Sequence, residues 1–251
     1  MIKTETFEEA FKRLNEEVYN NWHYLNDSRI GKTREITNIG FEVSDPSSYE
    51  FTDPRINRIK YDYANAFYDW MMEGGTTAPE GVTKHLSPEA LAYVQPPASD
   101  ELPENFNTLY GPRIVKQLPN VIKELKDKPN TRRAVLLVLQ EEDQLLLDLD
   151  EKIEYPCCFN ATYYIRHGEL NAHVNMRSQN TAVVLQIDIY LHARLMQHIL
   201  NELDMDLKLG KFSYHMVSAH LYDRDNEYVK SFLESGHYLK SYPETKLEHT
   251  I

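Results

Sequence analysis

The chain has 251 residues, 41% of them hydrophobic and 11% aromatic, enough to fill one large core or two small ones. Its 39 acidic against 27 basic side chains give a net charge of −12, which argues against sequence-independent nucleic-acid binding, since that needs a basic surface. No run of about 18 apolar residues occurs and the opening "MIKTETFEEAFKRLNEE" is too charged for a secretory signal, so the expectation is a soluble, cytoplasmic protein without a membrane span.

In chain order, Phe7, Phe11, Leu14 and Val18 recur at intervals of three and four and predict an amphipathic helix over 4–25, with Glu8, Glu9, Lys12, Arg13 and Glu16 on its wet face. "REITNIGFEV" has strand-like residues. The aromatic stretch 56–73, "INRIKYDYANAFYDWMME", predicts a second helix, ended by Gly74-Gly75. Residues 76–103 are proline-rich and aperiodic, an excursion over the surface of the kind that often covers a site. A helix through "IVKQLPNVIKELKD" leads into "PNTRRAVLLVLQ", where Arg132 and Arg133 precede a buried strand, and "EEDQLLLDLDEKIE" is a loop or edge connection. "CCFNATYYIRHGELNAHVNMRS" alternates apolar and polar residues on both sides of "RHGE", as a hairpin does. "IDIYLHARLMQHILNELDM" predicts a long, central, largely buried helix and "GKFSYHMVSAHLYDRD" a last strand. The class is α+β, a single domain over 1–251 with a mixed or antiparallel sheet.

Two kinds of residue carry chemistry. Cys157 and Cys158 are adjacent, where pairing with each other is disfavoured, and read as thiols in a reducing compartment. A nucleophilic thiol needs access and a cationic neighbour; burial alone would also explain a cysteine at the start of a strand. The arginines Arg29, Arg132, Arg133 and Arg177 serve an anionic ligand only if they converge. Arg132 and Arg133, side by side at the head of a strand, cannot both point to one face of one sheet, so one of them is available to a partner subunit.

The order "LYG", "PNTRR", "PC", "RS" and "HLY" resembles the thymidylate synthase family, which includes the pyrimidine hydroxymethylases, over Asp27 to Asp225. The resemblance implies that family's fold, a sheet-mediated homodimer and 5,10-methylenetetrahydrofolate as co-substrate. The family nucleophile lies twenty residues before its phosphate arginine, which selects Cys157 before Arg177; Cys158 lies nineteen before, where synthases usually have a histidine. The resemblance further implies that Arg177 and Ser178 hold the nucleotide phosphate, that Arg132 and Arg133 reach the partner's phosphate, and that His220 and Tyr222 bond the sugar 3′-hydroxyl. Arg29 matches the early phosphate arginine, with Lys32 a competitor, and Tyr110 matches a tyrosine near the catalytic thiol.

Eleven residues after that arginine, synthases have an asparagine that reads the uracil edge; here the residue is Asp188. Cytosine offers an acceptor at N3 and donors at N4, the reverse of uracil. A protonated carboxyl donates to N3 and accepts from the amino group; an ionised one pairs with N3-protonated cytosine. Phage deoxycytidylate hydroxymethylases share this aspartate and the "AHVNMRS"-like context of residues 172–178, so the resemblance narrows to dCMP hydroxymethylation, as used in phage DNA modification. Asp188 also stands where a helix N-cap belongs, ahead of "IYLHARLM".

Several positions depart from the family. Its catalytic glutamate, three residues before a tryptophan, is Phe67 ahead of Trp70, leaving Asp62, Asp69 or Glu73 as substitutes or a different proton chemistry. The folate-contacting aspartate, three after the phosphate arginine, is Asn180, and the following glycine-proline turn is replaced by Val184 and Gln186. The readings left open beside dCMP hydroxymethylation are C5-methylation of dCMP or dUMP, hydroxymethylation of CMP, and a non-catalytic nucleotide-binding paralogue.

Overall fold

The computed structural model describes residues 1–28, 31–54, 56–88, 90–97, 99–104, 106–149 and 155–235. A short strand, β1 (Ile2–Thr4), precedes helix α1 (Phe7–Asn20), which buries Phe7, Phe11, Leu14 and Val18 along one face. Thr6 caps it by accepting from the Glu9 N–H at 3.3 Å. The helix stops at Asn20, short of the predicted 25, because Tyr24–Ser28 form strand β2, laddered antiparallel to β3 (Gly31–Val43).

Helix α2 (Tyr61–Glu73) starts five residues later than its aromatic pattern predicts. The preceding backbone is held by side chains instead: Ile59 N–H donates to Asn57 Oδ1 and Arg58 N–H to Gln186 Oε1. The proline-rich stretch does not simply run over the surface. It forms a short helix, α3 (Glu80–Thr83), and a 3₁₀ turn at Ala90–Val94. Val82, Leu86, Ala90 and Val94 join Tyr63, Trp70 and Leu109 in a second small core; side chains too sparse to show a period still find an apolar partner in α2.

Helix α4 (Tyr110–Asp127) crosses α2 closely at Gly111, where a Cβ would come 2.7 Å from the Met71 carbonyl oxygen. Two residues on, the buried Arg113 makes a bidentate pair with Asp143 (2.7 and 2.6 Å), in the 3₁₀ segment Glu141–Asp148, and donates to the Val138 carbonyl. An uncompensated guanidinium buried there is costly, so Asp143→Ala should lower unfolding stability by about 3–5 kcal/mol, measurable by denaturant titration.

Strand β4 (Val135–Leu137) leads to the predicted hairpin, β5 (Cys158–Arg166) and β6 (Glu169–Asn180). His167 and Gly168 turn it with φ of +55° and +77°, the type I′ pattern whose twist suits a two-residue loop. Helix α5 (Leu185–Leu203) then crosses to β7 (Lys208–Tyr222), parallel to β6, and α6 (Asn226–Ser235) follows. The sheet runs β1-β3-β7-β6-β5-β4 with β2 on β3. It is mixed: β1–β3 and β6–β7 are parallel, the other pairs antiparallel.

A parallel crossover must pass over the sheet, which is why α5 is largely buried, through Leu185, Ile189, Met196, Ile199 and Leu203 among others. Helices α1, α2 and α4 all contact α5 and build the layer over that face. On central β7, Met216 is buried beneath them, whereas its neighbour Val217 is 48% exposed on the opposite face. No helix among the described residues is long and apolar enough to cross a membrane.

Candidate active site

The two cysteines have different environments. Cys158 is 0% exposed in the main core, while Cys157 is only partly buried. Burial pushes the Cys158 thiol well above the usual thiol range, and the nearby Asp188 and Cys157 add to the effect. A buried thiol held protonated is a poor nucleophile. Cys157 instead has a cation beside it: Arg177 Nη2 lies 3.5 Å from its Sγ.

Backbone carbonyls fix that guanidinium. Arg177 Nε donates to Pro156 at 2.9 Å and Nη2 to Tyr155 at 2.6 Å, while its N–H donates to the Cys157 carbonyl at 2.8 Å. The Nη1 donors meet no acceptor among the described residues, which suits an anion. Tyr110, the first residue of α4, accepts from the N–H groups of both Cys157 and Cys158 at 3.0 Å each. Burial, then the neighbouring cysteines and Asp188, push its hydroxyl well above the usual tyrosine range. It is therefore a neutral phenol whose own proton remains to be donated.

Asp188 lies within the first turn of α5, its N–H bonded to the Val184 carbonyl at 3.1 Å. The N-cap is Val184, so the capping reading of Asp188 does not hold. The partly buried carboxyl has Oδ2 accepting from Gln179 Nε2 at 2.8 Å. Burial raises its pKa to about 7, with the Gln179 hydrogen bond opposing the rise. Near neutral pH both protonation states are populated.

Ser178 Oγ and His220 Nδ1 are 3.4 Å apart, and His220 and Tyr222, two residues apart on β7, meet edge to face at 5.2 Å. Burial first, and the Arg177 charge second, depress the His220 pKa to about 4 against the pull of Glu35, so the imidazole is neutral at neutral pH. Arg177, Ser178, His220 and Tyr222 thus line the adjacent ends of two paired strands.

Other predicted residues lie elsewhere. Arg132 and Arg133 are exposed and precede β4 rather than heading it; the Ala134 carbonyl accepts from Tyr163 N–H. Cys157 stands at the opposite end of β5, roughly 20 Å away at the rise of an extended strand, so these arginines do not converge with Arg177 within one chain. Arg29 falls outside the described residues, and Lys32 is exposed at the start of β3. Asn180 is 7% exposed and its Oδ1 accepts from the N–H groups of Ala182 and Val183 at 3.1 Å, which ties it to the turn entering α5. Gln186, in place of the family's turn, grips residues 56–58: it donates to the Ile56 carbonyl at 2.7 Å and accepts from Arg58 N–H at 3.0 Å.

No acid of α2 takes the glutamate's place. Asp62, Asp69 and Glu73 are exposed, with Asp69 3.8 Å from Arg194. Phe67 packs against Tyr63 and Trp70, and it is Tyr63 whose hydroxyl feels the charge of Asp188. Sequence reasoning missed Tyr63, Gln179 and Tyr214; the last two are tied by a 2.7 Å hydrogen bond across 35 residues, with no local pattern to mark it.

Comparison with known proteins gives this site a context. The family profile described as thymidylate synthase matches residues 11–251. A Methanocaldococcus jannaschii protein named "Putative thymidylate synthase" is 23% identical over 235 residues, 92% of this chain and 95% of its own length. The thymidylate synthase of Bacillus subtilis subsp. natto is 23% identical over 134 residues, 53% of this chain and 45% of that enzyme. The bovine thymidylate synthase is 29% identical over 128 residues, 51% of this chain and 34% of that enzyme. With the profile spanning nearly the whole chain, the protein belongs to the thymidylate synthase family, whose chemistry is one-carbon transfer from methylenetetrahydrofolate to C5 of a pyrimidine nucleotide.

Proposed function

We propose that the protein is a deoxycytidylate 5-hydroxymethyltransferase, converting dCMP, 5,10-methylenetetrahydrofolate and water to 5-hydroxymethyl-dCMP and tetrahydrofolate. The observation that carries this reading is Asp188: a carboxyl with a pKa raised to about 7, at the position where the family's uracil readers have an amide. As the acid it donates to cytosine N3 and accepts from the N4 amino group; as the carboxylate it pairs with N3-protonated cytosine. Either complex holds one proton between the carboxyl and N3.

Cytosine C5 is not nucleophilic until C6 is attacked. The Cys157 thiolate, stabilised by Arg177, adds to C6 and makes C5 enamine-like. Asp188 stabilises the charge that develops over N3 and N4, and the Tyr110 hydroxyl, anchored on both cysteine N–H groups, supplies a donor beside the thiol. Methylenetetrahydrofolate supplies the one-carbon unit that bonds to C5. The C5 proton and tetrahydrofolate then leave, giving an exocyclic methylene; water adds to that carbon, and expulsion of the Cys157 thiolate from C6 restores the ring. Asn180 offers folate an amide rather than the family's carboxylate, with its oxygen engaged in the turn.

Arg177 and Ser178 hold the phosphate, with Arg29 as a further contact, and His220 and Tyr222 the sugar hydroxyl. Arg132 and Arg133, remote from their own chain's Cys157, serve the site of a second copy. The sheet face exposing Val217 opposite the helices is the surface for that homodimer.

The assay that decides between hydroxymethylation and methylation reads the folate product. With dCMP, dUMP or CMP plus methylenetetrahydrofolate, the expected result is turnover of dCMP without the absorbance change of dihydrofolate formation. Dihydrofolate release identifies a C5-methyltransferase; nucleotide binding without any product identifies a binding paralogue.

A further inference from the structure

Gln179 is a buried amide, 2% exposed, between Asp188 and the core. Its Nε2 donates to Asp188 Oδ2 at 2.8 Å and lies 3.4 Å from the Asn180 carbonyl oxygen, while its Oε1 meets the Tyr214 hydroxyl at 2.7 Å. An amide can be turned either way, and its partners decide which. A backbone carbonyl only accepts, so an amide oxygen turned toward Asn180 would face another oxygen. The nitrogen therefore points to Asn180 and Asp188, and the Tyr214 hydroxyl donates to Oε1. Tyr214 cannot readily move, being 0% exposed with its ring stacked on Phe41 at 5.3 Å. Whatever atom of residue 188 occupies the Oδ2 position meets a donor and must be an acceptor.

We propose that Gln179, held by Tyr214, is a specificity-determining positioning residue: it fixes the acceptor end of residue 188, so that positions 179 and 188 together set the cytosine pattern. The proposal rests on the cytosine reading above and adds to it that Oδ2, the oxygen held by Gln179, accepts from the N4 amino group while Oδ1 carries the proton for N3. An asparagine at 188 would be held the same way, its carboxamide oxygen on Gln179 and its nitrogen toward N3, still complementary to cytosine. Uracil requires the reverse orientation, which sets an N–H of residue 188 against the N–H of Gln179.

The test is the ratio of dCMP to dUMP dissociation constants, without folate, for the full chain and three variants. Wild type and Asp188→Asn are expected to favour dCMP by about tenfold or more, and Asp188→Asn/Gln179→Leu to bring the ratio close to one, since a carboxamide freed of Gln179 turns to match either base. Asp188→Asn/Tyr214→Phe keeps the aromatic ring and should move the ratio the same way by less, which covers a leucine variant that does not fold. A swing to dUMP in Asp188→Asn alone, or double variants that keep its preference for dCMP, overturns the proposal while leaving the cytosine reading intact. A wild type that favours dUMP overturns the cytosine reading, and the proposal with it.

Discussion

A Cys157→Ser variant is expected to lose turnover by at least about 10³-fold, because a serine hydroxyl is far less acidic than a thiol and cannot replace a thiolate nucleophile. Cys158→Ala should stay within about tenfold of wild type, since Cys158 is buried and its thiol is held protonated. Dissociation constants for dCMP separate chemistry from binding: Cys157→Ser should still bind the nucleotide, with Arg177 and Asp188 in place. The reverse pattern, with Cys158 indispensable and Cys157 dispensable, would place the nucleophile one residue later, at a spacing of nineteen from Arg177. Cys157→Ser is nearly isosteric and Cys158→Ala removes only a buried sulfur, so matching thermal unfolding is the control for fold.

Asp188 should govern the second large effect, and its sign depends on pH. In the proposed complex the carboxyl and N3 hold one proton between them, so dCMP affinity should be full below the Asp188 pKa and be lost as pH rises through about 7, by about tenfold per unit. Groups that feel this carboxyl include Tyr63 of α2, Tyr110 of α4, Cys158 of β5 and Tyr214 of β7. All four are pushed upward by burial and stay neutral there, so they do not compete for the transition. Asp188→Ala should abolish the pH dependence and lower kcat/KM for dCMP by about 10²–10⁴-fold, the loss of two base contacts of which one is charge-assisted. A pH profile for dCMP affinity that stays flat across neutrality in the wild type contradicts the role given to Asp188.

Local patterns carried much of this architecture. The α1 stripe, the RHGE hairpin and the buried α5 follow from side-chain period and turn chemistry. Strand β2 was hidden because its five residues are all exposed and owe their conformation to pairing with β3, not to any hydrophobic alternation. The start of α2 was misplaced because Asn57 and Gln186 capture the backbone at 57–59, and Gln186 lies 128 residues from Arg58. Residues 76–103 gave no period, yet four of their side chains close a small core against α2.

The site divides in the same way. Motif order and spacing singled out Cys157, Arg177 and Asp188, and the fold gives each a chemically suitable neighbour. The environment of Asp188 was not legible, because it is assembled from β6 and β7 through Gln179 and Tyr214. Nor could the sequence say that Asp62, Asp69 and Glu73 all face solvent, while the Tyr63 hydroxyl of α2 feels the charge of Asp188.

The most direct measurement of the central claim is a competition. The protein receives equal concentrations of dCMP and dUMP with isotopically labelled methylenetetrahydrofolate, and the products are identified by mass. Label recovered as 5-hydroxymethyl-dCMP, with dUMP unchanged, is the predicted result; label in a methylated nucleotide, or in any product of dUMP, contradicts it.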